Sequence, residues 1–218
     1  MISLEEAYQL SSKETNRLLK NYVSPNLQTL FSFFSFSKDV PISSSGCYIK
    51  LDDGREILDI TGGIGVLNHG HNHPEILKAR IDFQKASRME VHKNYLSQLY
   101  VALAKNIAEL SPGDLKMSFF PSSGSEAVEG CLKMAYKISN PNDKFNKKNL
   151  LLHADQSFHG KLFGAGAATG SPELNYKFPS PFETLSFKRN NKSSFLEAIE
   201  KSKHNKKSRA FAIIYESF

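Results

Sequence analysis

The chain has 218 residues, of which 40% are apolar and 11% aromatic, enough to bury a core in one or two domains. Lysine and arginine outnumber acidic residues 28 to 22, for a formal charge of +6, but the lysines are scattered. Scattered lysines are typical of solvated surfaces, so we expect no nucleic-acid partner. No apolar run is long enough to span a membrane, and the two cysteines lie far apart in sequence. With acidic residues at positions 5 and 6, these features favour a cytoplasmic protein without a membrane partner.

The N-terminal third is predicted to contain a helix and a β-hairpin. Apolar residues recur among charges from residue 4 to residue 22, and Ser3 with Glu6 makes a capping box, which predicts one amphipathic helix. Asp53-Gly54 lies between two short apolar runs, a pattern typical of a hairpin turn. We expect residues 1–70 to form the N-terminal segment of a small domain.

Residues 71–218 alternate helical patterns with short apolar runs, which indicates an α/β domain with a mostly parallel sheet. Pro74 opens a predicted helix that runs toward residue 87, and another helix begins near Leu96 and ends at Ser111. The remaining predicted strands are 117–120, 150–153, 184–187 and 210–215, and the remaining predicted helices are 125–138 and 193–203.

Ser123, Gly124 and Ser125 follow the first predicted strand of this domain and precede a helix. At such a position free backbone N–H groups and the helix dipole favour an anion such as a phosphate. Gly124 would let the backbone approach closely, and Ser125 would add a hydroxyl. The alternative is a plain helix cap, completed by Glu126, and local physics alone favours it.

Phe158 and His159 follow the next predicted strand, again on the edge of the sheet where ligands bind. The aromatic face of Phe158 could stack on a planar heterocycle. The alternative is that Phe158 fills the core. Glu216 ends the last predicted strand and would bring a carboxylate to the same edge, although a terminal glutamate is more often simply solvated.

Two further motifs suggest other chemistry. Gly164–Gly170 superficially resembles a dinucleotide fingerprint, but Thr169 stands in place of the third glycine and no strand directly precedes the run. His69, His71 and His73 alternate as metal ligands might, yet no carboxylate or cysteine lies in the same stretch. We expect neither a nicotinamide cofactor nor a metal.

Taken together, the motifs resemble those of class III pyridoxal-phosphate aminotransferases of fold type I, and most closely the putrescine aminotransferases within that class. The stretch 112–127 (PGDLKMSFFPSSGSEA) is similar to the family's phosphate loop, and Phe158-His159-Gly160 to its ring-stacking motif. Residues 62–71 (GGIGVLNHGH) resemble its N-terminal substrate-side loop. The resemblance runs from about residue 10 to the end.

The resemblance implies that Gly124 and Ser125 hold the phosphate of pyridoxal 5'-phosphate and that Phe158 stacks on its ring, with Ser123 and His159 as neighbours. Ile64, Gly65 and Val66 would line the substrate side, and Glu216 would stand near the substrate. The fold implied is an incomplete fold-type I large domain, with a mixed, mostly parallel sheet and flanking helices, preceded by the N-terminal helix and hairpin.

The resemblance also implies that essential parts lie elsewhere. In the family, the lysine that bonds the cofactor and the aspartate that pairs with its ring nitrogen follow the strand that contains Glu216, so no catalytic residue is assigned here. Residues 117–120 would form a strand separated from the other three by strands of the remaining half. This chain is therefore expected to be the N-terminal part of a homodimeric enzyme, and to be inactive alone.

The activity implied is transfer of an amino group from an amine, diamine or ω-amino acid to a 2-oxo acid. Another class III activity, such as an aminomutase, shares the same phosphate loop and stays open. So does an inactive remnant, or a fragment that needs a second chain.

Overall fold

A computed structural model describes residues 1–34, 36–91, 94–141, 148–170, 179–205 and 208–216. The chain divides into two compact units, Met1–Leu96 and Ser97–Phe218. The predicted domain boundary near residue 70 stays a prediction. Within the described residues, no helix is both long and apolar enough to cross a membrane.

The helix predicted over residues 4–22 is present in pieces: α1 (Leu4–Tyr8), α2 (Ser12–Leu18) and a π-helical turn (Leu19–Val23). Ser11 causes the break because it starts a second helix. Its hydroxyl accepts from the Glu14 N–H at 3.3 Å, and the Glu14 carboxylate accepts from the Ser11 N–H at 3.2 Å. This second capping box was overlooked, so the prediction of one helix is wrong in this respect. Helix α3 (Pro25–Phe33) follows.

The predicted hairpin is confirmed as β2 (Tyr48–Leu51) and β3 (Glu56–Leu58), with Gly54 at a φ of 86° in the turn. A third strand, β1 (Pro41–Ser45), pairs antiparallel with β2 and was not predicted. Leu51 is the one fully buried large apolar side chain among the described residues of this unit.

After the hairpin the backbone makes one tight turn, α4 (Gly62–Gly65), in which all four residues have positive φ values between 51° and 76°. Three are glycines, which adopt this region freely, but Ile64 has a φ of 61° despite its β-branched side chain. The predicted helix that opens at Pro74 is confirmed as α5 (Pro74–Lys85).

The second unit contains α6 (Gln98–Leu110) and then the α/β portion. Its elements are α7 (Gly124–Ser139), β4 (Leu150–Ala154), α8 (Phe163–Ala168), β5 (Glu183–Phe187), α9 (Lys192–His204) and β6 (Ala210–Ile214). The three strands form a parallel sheet in the order β5-β4-β6. Every residue of β4 is buried, because helices cover both faces of the central strand. The predicted α/β class with a parallel sheet is confirmed.

The predicted strand over 117–120 is wrong for this structure, in which these residues have no regular secondary structure. No described segment pairs with them, and a strand needs a neighbour to satisfy its N–H and C=O groups. Met117 and Phe119 are accordingly exposed by 97% and 67%.

The central strand gives the first prediction. Leu151 is fully buried and packs with Leu132 of α7 and Phe211 of β6, so Leu151→Ala should lower the free energy of opening of this unit by about 2–5 kcal/mol. Hydrogen exchange of the β4 amides measures that energy. Leu196→Ala, on the half-exposed face of α9, is the control and should cost far less. Equal losses would contradict the assignment of the core.

The turn at Gly62–Gly65 gives the second prediction, which concerns the strain at Ile64. The left-handed conformation costs an L-residue about 1–2 kcal/mol, a cost that Ile64→Gly removes. Val66→Gly is a matched control, since Val66 is also exposed but has a φ of −85°. Both changes add similar freedom to the unfolded chain. In urea titrations, Ile64→Gly should therefore be more stable than Val66→Gly by about 1–2 kcal/mol. The reverse order would mean that Ile64 is unstrained.

Candidate functional site

The N-terminus of α7 offers free donors. Ser123 is its N-cap, and its hydroxyl accepts from the Glu126 N–H at 3.2 Å, while the Glu126 carboxylate accepts from the Ser122 N–H at 2.8 Å. The cap foreseen as the alternative is therefore present. It leaves the N–H groups of Gly124 and Ser125 and the Ser125 hydroxyl without a hydrogen-bond partner in the described part of the chain. Since a 16-residue helix begins here, its free N-terminal donors suit an anion.

The loop after β4 brings Phe158 to the same edge of the sheet. Its ring is 47% exposed, so it does not fill the core. The backbone N–H of Phe158 donates to the Glu216 carboxylate at 2.9 Å, which ties this loop to the end of β6. Glu216 therefore lies beside the ring-bearing loop, and its role toward a substrate stays a prediction.

The two loops meet at Gly160, which has a φ of 117°. A Cβ added there would lie 2.8 Å from the Cβ of Ser125 and closer still to the hydroxyl oxygen. Only glycine fits both the conformation and the space. The structure thus brings Gly124 and Ser125 together with the loop that carries Phe158.

His159 belongs to this loop, and it is buried, with 8% of its surface exposed. Its Nε2 is buried and has no hydrogen-bond partner among the described residues. Burial lowers the pKa of His159, although the nearby Glu216 carboxylate opposes that shift. His153 of β4 is buried as well, and its pKa is lowered for the same reason.

Ile64, Gly65 and Val66 belong to the N-terminal unit and are held by Asp59. The Asp59 carboxylate accepts from the Thr61 hydroxyl at 2.7 Å, from the Gly62 N–H at 3.0 Å and from His71 Nε2 at 2.9 Å. The Thr61 and His71 hydrogen bonds hold the pKa of Asp59 well below its usual range. The turn thereby presents Ile64, 94% exposed, and Val66, 72% exposed, to the surroundings.

Of the three alternating histidines, His71 has a structural role. Its side chain bonds Asp59, and its backbone pairs with Gly46 by hydrogen bonds of 2.7 and 2.9 Å, while His73 directly precedes α5. Their neighbourhood includes a cavity of about 170 Å³, but no group of three or more potential metal ligands occurs among the described residues.

Two residues of the site escaped the sequence analysis, Glu129 and Thr169. The Glu129 carboxylate accepts hydrogen bonds from the first turn of α8, and the Thr169 hydroxyl accepts from the His159 N–H. Each lies far in sequence from the groups that it bonds, so no local pattern could reveal the contacts. The one available signal was a threonine that interrupts a run of small residues.

Burial of the two histidines leads to a pH prediction. Their pKa values are lowered in the folded state, whereas an unfolded histidine titrates near 6.5. Between the folded-state values and about pH 6.5 the unfolded chain binds more protons, so this contribution to stability is complete above about pH 6.5 and is lost as the pH falls. Unfolding of the second unit at several pH values measures the slope. His159→Gln, which does not titrate, should have a shallower slope; an unchanged slope would contradict it.

Comparison with known proteins identifies relatives of this chain in sequence. Residues 38–218 match the family model "Aminotransferase class-III". A putrescine aminotransferase from Pectobacterium atrosepticum is 39% identical over 177 residues, which cover 77% of this chain and 36% of that protein. The chain thus spans little more than a third of the length of that relative.

Solved structures share the fold. The adenosylmethionine-8-amino-7-oxononanoate aminotransferase from Methanocaldococcus jannaschii superposes with a TM-score of 0.79 at 20% identity, covering 93% of this chain and 46% of that one. An ornithine aminotransferase from Toxoplasma gondii, with pyridoxal phosphate partially occupying its active site, gives 0.73 at 18%, covering 98% and 48%. The match over most of the chain, together with the fold, shows that this chain belongs to the class III aminotransferase family.

Proposed function

We propose that the protein of which this chain forms part is a pyridoxal-phosphate-dependent transaminase. It would move an amino group from an amine, diamine or ω-amino acid to a 2-oxo acid. The observation that carries the proposal is the contact at Gly160, which joins the loop that carries the exposed Phe158 to the first turn of α7, where the donors are free. An anion site and an aromatic side chain on two segments in contact would fit a small molecule that joins a phosphate to a planar ring.

The residues present fit this cofactor in charge and shape. The Gly124 and Ser125 N–H groups and the Ser125 hydroxyl are unpaired donors among the described residues, as a phosphate requires. Gly160 has no side chain, so the loop lies directly against Ser125. Ser123 caps the helix through the Glu126 N–H. His159 is buried beside Phe158, and its N–H is bonded to Thr169.

When bound, pyridoxal phosphate supplies an electron-withdrawing ring that stabilises negative charge on the carbon next to the amino group. The described residues of this chain contribute orientation. Gly124 and Ser125 would fix the phosphate, and the Phe158 ring would limit rotation of the cofactor ring. Glu216 holds the Phe158 backbone in place through its 2.9 Å hydrogen bond.

The proposed substrate preference rests on the N-terminal turn and on the putrescine aminotransferase relative. Ile64 and Val66 expose apolar side chains on either side of Gly65, and such a wall suits the methylene chain of a diamine. The 39% identity to a putrescine aminotransferase supports a diamine donor. We propose that Ile64, Gly65 and Val66 contact this methylene chain and that Glu216 lies near the substrate.

Cofactor binding can be tested without covalent reaction at surface lysines by using pyridoxine 5'-phosphate, which has no aldehyde. The 218-residue chain should bind it more tightly than either inorganic phosphate or pyridoxine, as measured by equilibrium dialysis. Ser125→Ala removes one hydrogen bond to a charged group and should weaken binding about tenfold or more. Phe158→Ala should weaken it about two- to tenfold, and Phe158→Tyr should restore it.

Ser193→Ala is a matched control, because Ser193 occupies the same second position of α9 and is exposed. It should bind like the wild-type chain. Binding of pyridoxine 5'-phosphate no tighter than that of inorganic phosphate, or an equal loss for Ser125→Ala and Ser193→Ala, would refute the proposed cofactor site. The donor is tested separately, by amino transfer from putrescine to a 2-oxo acid in the complete protein.

A further inference from the structure

The run of small residues from Gly164 to Gly170 has no place in the proposed chemistry, yet it is among the most buried parts of the described chain. Ala165 and Ala168 are fully buried and Thr169 is 1% exposed. The run forms α8 and then turns back against the loop after β4. Its small side chains are needed because both ends touch other segments closely.

The first end is held by Glu129, which lies in the middle of α7. Its carboxylate accepts hydrogen bonds from the N–H groups of Gly164 at 2.6 Å and Ala165 at 2.9 Å. Helix α8 has no side-chain cap of its own, so Glu129 supplies one from a distant part of the sequence. A Cβ on Gly164 would lie 2.8 Å from this carboxylate, which explains the glycine.

The other end is held by the Thr169 hydroxyl. Its oxygen accepts from the His159 N–H at 3.1 Å, and its O–H is in donating reach of two carbonyl oxygens, those of Gly160 at 3.0 Å and Ala165 at 3.1 Å. Thr169 therefore satisfies both a donor and an acceptor of the loop that carries Phe158. Such buried backbone groups are costly to leave unpaired.

Gly170 closes the contact. Its N–H donates to the Ser157 carbonyl at 2.9 Å, and the Ser157 hydroxyl donates to the Ala154 carbonyl at 2.7 Å. A Cβ on Gly170 would lie 2.9 Å from the Cα of Asp155. The loop is thus bonded to this run at three positions, Ser157, His159 and Gly160.

We propose that Glu129 and Thr169 are positioning residues, which fix the loop 157–160 against α7 so that Phe158 stays at a constant distance from the anion site. This clamp, consisting of Glu129, α8, Thr169 and Gly170, rests on the proposed function because its purpose is to hold the ring contact. Glu129 lies on the same helix as Ser125, so helix α7 would hold both the phosphate contact and the ring contact in place.

The test compares two ligands and two variants. Thr169→Val removes the hydroxyl with little change in shape, and Thr169→Ser keeps it. In Thr169→Val the affinity for pyridoxine 5'-phosphate should fall about five- to tenfold, no further than in Phe158→Ala, whereas that for inorganic phosphate should stay within about twofold, because only the ring contact depends on the clamp. Thr169→Ser should behave like the wild-type chain. A general loss of structure would lower both affinities.

Hydrogen exchange gives a readout that needs no ligand. In the wild-type chain the amides of residues 157–170 should be protected, and Thr169→Val should reduce that protection about tenfold. Glu129→Gln replaces charged acceptors by a weaker neutral one and should cause a smaller loss, centred on Gly164 and Ala165. Ser139→Ala is the control, since it removes a 2.8 Å hydrogen bond from the far end of α7 to Phe211. It should leave residues 157–170 protected.

The outcomes separate the two proposals. Rapid exchange throughout residues 157–170 of the wild-type chain, or unchanged protection in Thr169→Val, would overturn the clamp. An equal fall in both affinities in Thr169→Val would overturn it as well. If the wild-type chain does not prefer pyridoxine 5'-phosphate to phosphate, the proposed function fails, and exchange alone then decides the clamp.

Discussion

The backbone of Gly160 lies so close to Ser125 that no side chain fits between them, and the candidate site depends on this contact. A positive φ at Gly160 turns the chain away from β4 and across the first turn of α7. Because the free N–H groups belong to one loop and the aromatic ring to the other, neither alone makes a site for a ring-bearing phosphate. The close approach is what joins a common helix N-terminus to a half-exposed phenylalanine.

That contact needs support on its other side, and the run of small residues supplies it. The glycines of Gly164–Gly170 superficially resemble those of a dinucleotide-binding loop, where glycine allows a ligand to approach the backbone. In this structure they allow other segments of the same chain to approach: Gly164 lies against the Glu129 carboxylate, and Gly170 lies against the backbone at Asp155. A glycine thus indicates close approach, but its local sequence does not say what approaches.

The parts of the fold that were predictable are those stabilised by neighbours within the chain. The strands β4 and β6 come from continuous apolar runs and β5 from a short alternating one, and each finds a partner in the parallel sheet. The run over 117–120 has the same composition but no partner among the described residues, so composition alone could not decide its structure. The prediction of one continuous N-terminal helix was wrong for a local reason. Ser11 and Glu14 form a capping box that starts a second helix, although the apolar periodicity continues through it.

The site was predictable to a similar extent. Order along the chain and the positions of strand ends brought Gly124, Ser125 and Phe158 to one edge of the sheet. The bond from the His159 N–H to Thr169 spans 10 positions, and those from Gly164 and Ala165 to Glu129 span 35 and 36, which no short pattern encodes. Here the residues proposed to contact the cofactor lie in recognisable motifs. The residues that position them, Glu129 and Thr169, lie in no such motif.

The exposed surface follows from the same requirement for neighbours. Large apolar side chains remain exposed in the described part of the second unit. Met117, Phe119 and Leu110 are exposed by 97%, 67% and 88%. Apolar area exposed in this way is unfavourable in water at about 25 cal/mol per Å². The segments that carry the proposed cofactor contacts, by contrast, have neighbours within the described chain: Gly160 lies against Ser125, and Glu129 of α7 bonds the first turn of α8.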